Sequence, residues 1–164
     1  MLPFSGVNGA SNSMQKVRSE TEGVGTPFKD ARDGILVIDD EPVLRTTFKH
    51  MLEEEGYRVW VAQNGREGLE LFRKNRPEIV ITDMVMPILD GFAMIDRLRR
   101  ECPGLPIIAM SAFLEPAKME KSLDSGAFCY LTKPVEMPVL FDLIRAILVP
   151  QADLDGDGRE VESL

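Results

Sequence analysis

The sequence contains few of the residues on which several classes of protein depend. It has two cysteines among 164 residues, Cys102 and Cys129, and they lie far apart. A small disulfide-stabilised secreted scaffold needs a denser cysteine framework, so both thiols are predicted to be reduced and structural, in a cytoplasmic protein. The single histidine, His50, lies within a predicted helix beside Lys49. It is expected at the surface or core edge and not as a phosphotransfer histidine.

Long hydrophobic runs and clusters of basic residues are also missing from the sequence. No segment approaches the ~20 apolar residues that a membrane-spanning helix needs, and the first 20 residues lack the apolar core of a signal peptide. Lysine and arginine number 19 against 27 aspartates and glutamates, which gives a formal net charge of −8. Such a surface repels nucleic acid phosphates. We therefore expect a soluble protein with neither a membrane nor a nucleic acid as partner.

The composition divides the chain into three parts. Residues 1–33 are rich in Gly, Ser, Asn and Thr without a sustained period, which predicts a flexible leader. Residues 34–149 carry regular apolar patterns and are predicted to form one domain. Residues 150–164 are predicted to form an acidic flexible tail. The tail begins like an EF-hand loop, but Leu164 stands where the twelfth position needs a bidentate glutamate.

Short apolar runs alternate with amphipathic segments throughout residues 34–149. The predicted strands cover 35–39, 57–62, 78–82, 105–111 and 127–131. The predicted helices cover 41–56, 66–75, 91–101, 115–126 and 137–149. Five strands that alternate with five helices predict an α/β fold: a doubly wound, five-stranded parallel sheet with right-handed crossovers and helices on both faces.

Polar residues follow the strands at the edge where open α/β sheets bind ligands. The first strand ends in Asp39 and Asp40, Asp83 follows the third, Ser111 ends the fourth, and Lys133 comes shortly after the fifth. Three carboxylates at close range would repel each other and raise one another's pKa values unless a cation compensates them. Mg²⁺ prefers oxygen ligands and keeps several waters, so these carboxylates suit it as a half-shell.

This arrangement predicts phosphoryl chemistry at Asp83. A phosphoryl oxygen can replace a water on the metal, and the Asp83 carboxylate can act as the nucleophile that becomes an aspartyl-phosphate. Lys133, Ser111 and the metal would then stabilise charge on the phosphoryl oxygens. The apolar segment 84–86 is expected to pack around the loop and to limit the access of water.

In this order the motifs resemble the response-regulator receiver domain of two-component signalling, of the single-domain chemotaxis-regulator type. The matching motifs are Asp39-Asp40, the segment DMVMPILDG from Asp83, Ser111-Ala112 and Tyr130-Leu131-Thr132-Lys133-Pro134. The resemblance covers about residues 34–149, which would then be a receiver domain. It implies a flavodoxin-like sheet with the strand order 2-1-3-4-5.

The resemblance also implies a phosphoacceptor and a set of metal ligands. Asp83 resembles the phosphoacceptor of the family and also contacts the metal. Asp40 resembles a direct magnesium ligand, and Asp39 resembles one that acts partly through water. The backbone carbonyl of Val85 resembles a further ligand.

Three more residues resemble the switch and the phosphoryl-binding cation of the family. Ser111 resembles the hydroxyl that moves toward the phosphoryl group, and Tyr130 resembles the aromatic residue that turns inward with it. Lys133 resembles the cation that binds the phosphoryl group, with a cis peptide before Pro134. From the residues alone, Ser111 could instead cap the next helix, and Tyr130 could be ordinary strand packing.

The predicted function is that of a stand-alone response regulator, phosphorylated on Asp83 by a histidine kinase or phosphotransfer protein and not itself an enzyme. It would signal by binding a downstream protein or by onward phosphotransfer. The expected responsive surface is the face formed by the fourth helix, the fifth strand and the fifth helix, with Lys118, Lys121 and Arg145 on it. The apolar side chains of Val85 and of Phe113, two residues after Ser111, predict slow self-dephosphorylation.

Three alternatives start from the same residues. A phosphorylation-independent, receiver-like binding module would keep the fold without the chemistry. A phosphatase with an aspartate nucleophile often has a second acid two residues later, where this chain has Val85. A flavin mononucleotide carrier needs a phosphate-binding loop after the first strand, where Asp39-Asp40-Glu41 would repel a phosphate. The sequence leaves open the kinase, the downstream partner and the oligomeric state.

Overall fold

The computed structural model describes residues 33–148, so the predicted acidic tail and, apart from Asp33, the predicted leader lie outside the described residues. The strands are β1 Gly34–Ile38, β2 Arg58–Ala62, β3 Ile79–Asp83, β4 Ile107–Ser111 and β5 Cys129–Thr132. The helices are α1 Pro42–Glu54, α2 Gly65–Asn75, α3 Gly91–Glu101, α4 Pro116–Asp124 and α5 Met137–Leu148. Within the described range, no helix has the length and apolar character needed to cross a membrane.

The five strands form one parallel sheet in the order β2-β1-β3-β4-β5. Ile35 of β1 pairs with Val59 of β2 on one side and with Ile79 of β3 on the other. The chain first moves outward from β1 to β2 and then crosses back to β3, so the switch point lies between the carboxyl ends of β1 and β3. The predicted fold class and strand order are confirmed.

Alternate residues of β1 pack into hydrophobic cores on opposite faces of the sheet. Leu36 and Ile38 belong to the core under α2 and α3, whereas Ile35 and Val37 belong to the core under α1 and α5. All five β1 residues are buried, as expected for a strand covered on both faces. The helices contribute the buried apolar side chains Phe48, Leu52, Leu69, Phe72, Met94, Ile95, Leu98, Leu140 and Ile144.

Helix ends follow local chemistry that the sequence displays. The side chains of Asn64 and Asp90 each accept a hydrogen bond from the backbone N–H three residues later, at 3.0 and 2.9 Å, and so cap α2 and α3. Gly56 and Gly126 follow α1 and α4 with φ values of 88° and 107°. Only glycine adopts that conformation without strain, which makes both positions natural helix stops.

The predicted second and fifth strands begin one and two residues too early, because the hydrogen bonds that end α1 and α4 extend one residue past these glycines. The N–H of Tyr57 donates to the carbonyl of Leu52 at 3.1 Å, and the N–H of Ala127 donates to the carbonyl of Ser122 at 2.9 Å. Both are the backward hydrogen bonds of a Schellman motif, in which an apolar residue after the glycine packs against its helix. β2 and β5 therefore start at Arg58 and Cys129, and not at residues 57 and 127.

Candidate functional site

The carboxyl edge of the sheet collects the site residues that the sequence predicts. Asp83 and Ser111 are the last residues of β3 and β4, Asp39 directly follows β1, and Lys133 directly follows β5. Because the strands are parallel, their carboxyl ends lie at the same edge. Asp39, Asp83 and Ser111 are buried there, whereas Asp40 is exposed.

Lys133 joins carboxylates from two different strands. Its Nζ lies 2.7 Å from Oδ2 of Asp39 and 3.0 Å from Oδ2 of Asp83, with Oε1 of Glu41 at 3.6 Å. The Lys133 side chain is only 10% exposed, so these contacts form a nearly buried ion-pair cluster. Removal of one partner from such a cluster leaves an uncompensated charge in a poorly solvated place.

Asp39 is held on three sides and keeps one oxygen for another ligand. Its N–H donates to the carbonyl of Ala62 at 3.1 Å, and its Oδ1 accepts from the N–H of Glu41 at 2.8 Å. Its backbone carbonyl accepts from Nη1 of Arg45 at 2.6 Å. Oδ2 is buried and lies 2.7 Å from the Lys133 ammonium, its ion-pair partner.

The three predicted carboxylates converge closely enough to hold a cation. Asp39, Asp40 and Asp83 each bring one oxygen to a position within 4.8 Å of the other two. An all-oxygen donor set with carboxylate charge suits Mg²⁺. The buried Oδ2 of Asp39 has the Lys133 ammonium as its neighbour, so this oxygen already lies in a place that favours positive charge. The residues present therefore fit the metal that the family resemblance implies.

Burial and charge act in opposite directions on the two buried ionisable groups. Desolvation raises the pKa of Asp83, and this effect outweighs the hydrogen bond from the Val85 N–H and the attraction of Lys133, which lower it. Desolvation by itself would lower the pKa of Lys133, but its contacts with Asp39 and Asp83 together raise it. Lys133 therefore stays protonated at physiological pH and remains a fixed positive charge beside Asp83.

Ser111 and Tyr130 both form hydrogen bonds with the backbone of Phe113, in the loop between β4 and α4. Oγ of Ser111 is buried and accepts from the N–H of Phe113 at 3.4 Å, while the Tyr130 hydroxyl donates to the Phe113 carbonyl at 3.0 Å. The backbone of Ser111 also accepts from the N–H of Lys133 at 2.7 Å. The Tyr130 side chain thus binds the loop that begins at Ser111, and its contacts extend beyond ordinary strand packing.

The loop from β3 to α3 surrounds Asp83 only in part. Met84 and Met86 are buried, as expected, but the Val85 side chain is 57% exposed and does not shield the site. The N–H of Val85 donates to Oδ1 of Asp83 at 3.2 Å, which leaves Oδ2 facing Lys133. Farther along the loop, Ile88 has a φ of 74°, a conformation that a β-branched residue rarely adopts.

Sequence reasoning missed one contact of this site and misplaced two basic side chains. It did not single out Arg45, although Arg45 lies four residues after Glu41 and hence one turn along α1. Lys121 and Arg145, expected on the face formed by α4, β5 and α5, bind elsewhere. Lys121 Nζ lies 4.5 Å from the ring centroid of Phe92 in α3, and Arg145 Nη2 lies 2.9 Å from Glu55 after α1.

Two smaller predictions agree with the structure. His50 is exposed on α1, with Nε2 3.4 Å from Oε1 of Glu54, which fits a surface residue. The Lys133–Pro134 peptide is cis, as the resemblance implies.

Curated relatives with similar sequences include regulators and a short protein. A 14.6 kDa protein of Leptolyngbya boryana is 40% identical over 117 residues, which cover 70% of this chain and 89% of that protein. The response regulator MprA of Mycolicibacterium vanbaalenii is 38% identical over 124 residues, which cover 76% of this chain and 54% of MprA. The chain spans about half the length of most of the curated relatives that it matches most strongly.

The fold and the family agree with the geometry of the site. The solved structure of the chemotaxis protein CheY4 of Vibrio cholerae superposes with a TM-score of 0.68 at 29% identity, covering 72% of this chain and all of that one. Residues 35–145 match the family described as the response regulator receiver domain. The acidic edge, the buried lysine and the sheet order occur together in this chain, which therefore belongs to the response regulator receiver domain family of two-component signalling.

Proposed function

We propose that the protein is a stand-alone response regulator that accepts a phosphoryl group on Asp83 from a histidine kinase or phosphotransfer protein. Residues 34–149 form the receiver domain in this proposal. The protein acts in the cytoplasm as a switch and not as an enzyme. Its output is the binding of a downstream protein or onward phosphotransfer, without a nucleic acid or a membrane as partner.

The observation that carries the proposal is the position of Asp83 within its cluster. The Asp83 carboxylate lies at the carboxyl end of β3, with Lys133 on one oxygen and the carboxylates of Asp39 and Asp40 close by. A carboxylate that is nearly buried, paired with a cation and placed at the switch point of an open sheet matches the needs of a phosphoacceptor better than those of a structural ion pair.

The chemistry requires one bond to form and one to break. An oxygen of the Asp83 carboxylate attacks phosphorus, and the bond between phosphorus and the donor atom breaks, so that the electron pair leaves with the donor. The product is an acyl phosphate on Asp83. Bound Mg²⁺, held by Asp39, Asp40, Asp83 and the Val85 carbonyl, would supply positive charge to the phosphoryl oxygens.

Two protein groups are placed to stabilise the product. Lys133 Nζ already lies 3.0 Å from Oδ2 of Asp83, so it can neutralise a phosphoryl oxygen attached there. Oγ of Ser111 accepts from the Phe113 N–H, which leaves its own hydrogen free to donate. If Ser111 moves toward the phosphoryl group, the Phe113 carbonyl held by Tyr130 moves as part of the same loop. A movement of Ser111 would therefore be transmitted to Tyr130 of β5 through the loop that contains Phe113.

Intact mass spectrometry tests the central step. The full chain is incubated with Mg²⁺ and a small acyl phosphate, and Asp83→Asn is treated in parallel. We expect one added phosphoryl group on the wild type and none on the variant, because an amide is not a competent nucleophile. Chelation of the metal is expected to prevent the reaction. Asp96→Asn, which changes an exposed carboxylate of α3, is the matched control and should react like the wild type.

The outcomes separate the proposal from its alternative. An adduct on Asp83→Asn equal to that on the wild type would rule out Asp83 as the acceptor. If neither a small acyl phosphate nor a phosphorylated histidine protein modifies the wild type, the chain is better described as a phosphorylation-independent, receiver-like binding module.

A further inference from the structure

The guanidinium of Arg45 reaches back from α1 to the residue that ends the first strand. Its Nη1 donates to the backbone carbonyl of Asp39 at 2.6 Å, and the side chain is half-buried. The contact crosses the start of α1, because Asp39 precedes that helix and Arg45 lies one turn inside it. An exposed arginine with no such contact would remain in solvent, as most arginines do.

This contact completes the set that orients Asp39. The N–H of Asp39 is bound by Ala62 of β2, and Oδ1 is bound by the N–H of Glu41. Arg45 binds the carbonyl, which is the remaining backbone polar group. Oδ2 is buried and lies 2.7 Å from the Lys133 ammonium, inside the acidic cluster. The three contacts therefore direct one oxygen toward the place where a cation would bind.

Stabilisation of α1 does not explain the position of Arg45. The helix macrodipole makes the amino end of a helix favourable for negative charge and unfavourable for positive charge. The first turn of α1 contains no acidic residue, and the capping residue Glu41 makes no side-chain hydrogen bond to the helix. The positive charge of Arg45 therefore interacts with the acidic turn that precedes the helix, through the carbonyl of Asp39.

Arg45 also adds permanent positive charge without occupying a ligand position. A guanidinium offers several donors, and the contact of Arg45 at the site is to a backbone oxygen rather than to a carboxylate. A carbonyl that is held by a charged donor keeps the peptide between Asp39 and Asp40 in one orientation. The direction of both carboxylates depends on that peptide.

We propose that Arg45 is a positioning residue of the metal site. It holds the Asp39-Asp40 turn in the conformation in which the carboxylates converge, and it touches neither the metal nor the phosphoryl group. The inference rests on the proposed function, since it needs a site that binds Mg²⁺. Removal of a residue that orients a metal ligand without touching the metal typically weakens metal binding by about 10- to 100-fold.

The test measures Mg²⁺ affinity directly, by titration calorimetry on the full chain without any phosphoryl donor. Arg45→Met keeps an unbranched apolar stem and removes the guanidinium, and we expect at least about tenfold weaker Mg²⁺ binding. Arg66→Met removes the same charge from an exposed position in the first turn of α2 and should bind Mg²⁺ like the wild type. Equal losses in both variants would reduce the effect to long-range charge and overturn the proposal.

Arg45→Lys separates geometry from charge and covers the case in which Arg45→Met does not fold. Lysine keeps the charge but lacks the planar fork, so we expect an affinity between those of the wild type and Arg45→Met. Circular dichroism without Mg²⁺ reports whether each variant is folded. Wild-type Mg²⁺ affinity in a folded Arg45→Met, or in Arg45→Lys if the Met variant is unfolded, would refute the positioning role alone. Failure of the wild type to bind Mg²⁺ would instead refute the metal site.

Discussion

At the scale of one residue, burial of the Asp83 carboxylate is expected to lower the stability of the folded protein at neutral pH. This carboxylate is nearly buried, and desolvation raises its pKa even though Lys133 and the Val85 N–H stabilise the charged form. A carboxyl group whose pKa is higher in the folded state than in the unfolded state favours folding when it is protonated. That contribution is present at low pH and is lost as the pH rises through the folded pKa.

Asp83→Asn is therefore expected to stabilise the folded protein at pH 7 in the absence of Mg²⁺, by about 1 kcal/mol. The amide replaces a desolvated charge, while Lys133 keeps its contact with Asp39. The gain should shrink as the pH falls and the wild-type carboxyl becomes protonated. Urea unfolding at pH 7 and at pH 4 measures both effects. A variant that is less stable than the wild type at pH 7 would show that the ion pair with Lys133 outweighs desolvation.

Val85 and Phe113 permit a second prediction at this scale. Their side chains are 57% and 65% exposed beside the site, and neither can hydrogen-bond a water that attacks the phosphoryl group. We expect slow loss of the phosphoryl group in the wild type and a half-life shortened by about tenfold or more when both residues are made polar. The double variant Val85→Asn and Phe113→Gln tests this by following the phosphorylated mass over time.

Leu114→Gln provides the control for that experiment. Leu114 is exposed in the same loop, next to Phe113. Its substitution makes a similar change in surface polarity and should leave the half-life unchanged. An unaltered half-life in the double variant would contradict the prediction.

At the scale of elements, the loop between β3 and α3 depends on close backbone packing at Gly91. A Cβ atom at this position would lie 2.6 Å from Cα of Met84 and 2.7 Å from the carbonyl oxygen of Asp83. Backbone atoms cannot move aside as the end of a flexible side chain can. The absence of a side chain at the start of α3 therefore lets the helix approach the strand that ends in Asp83.

Gly91→Ala is expected to destabilise the fold by about 1–3 kcal/mol, the usual cost of overpacking. It should also slow phosphorylation, because relief of the clash moves the end of β3. Gly104→Ala is the matched control, since a Cβ there would have no atom within 4 Å. Thermal unfolding and the mass assay measure the two effects. Equal stabilities of the two variants would show that the loop adapts without strain.

At the scale of the whole molecule, the acidic edge is expected to couple metal binding to folding. The three carboxylates meet only when β1 and β3 lie side by side, so Mg²⁺ should bind the folded chain much more strongly than the unfolded chain. A ligand specific for the folded state stabilises it by about 2.7 kcal/mol at 100 times its dissociation constant.

Asp40→Asn should weaken this stabilisation strongly. Asp40 is exposed, so its substitution removes a predicted metal ligand without a change in the core. In the absence of Mg²⁺ the variant should be as stable as the wild type or slightly more stable, because one repelling charge is gone. Unfolding temperatures measured with and without Mg²⁺ check both statements. Asp142→Asn, which changes a 79% exposed carboxylate of α5, should respond to Mg²⁺ like the wild type.

Patterns along the chain predict which elements form and which residues reach the carboxyl edge. The apolar run ILVI predicts a strand buried on both faces, and Asp39, Asp83 and Ser111 end or follow their strands as expected. These features are local, because periodicity and capping depend on residues only a few positions apart. Several boundaries differed by one or two residues, and those at Tyr57 and Ala127 depend on hydrogen bonds that run back to the preceding helix.

Contacts between groups that are distant in the sequence depend on tertiary packing. Lys133 binds Asp83 across 50 residues, and Tyr130 holds the loop at Phe113. No pattern along the chain specifies such contacts, since they depend on the register of the parallel strands and on the path of each crossover. The sequence shows that acids and a lysine arrive at one edge of the sheet, and packing decides that Oδ2 of Asp39 and Oδ2 of Asp83 both face Lys133.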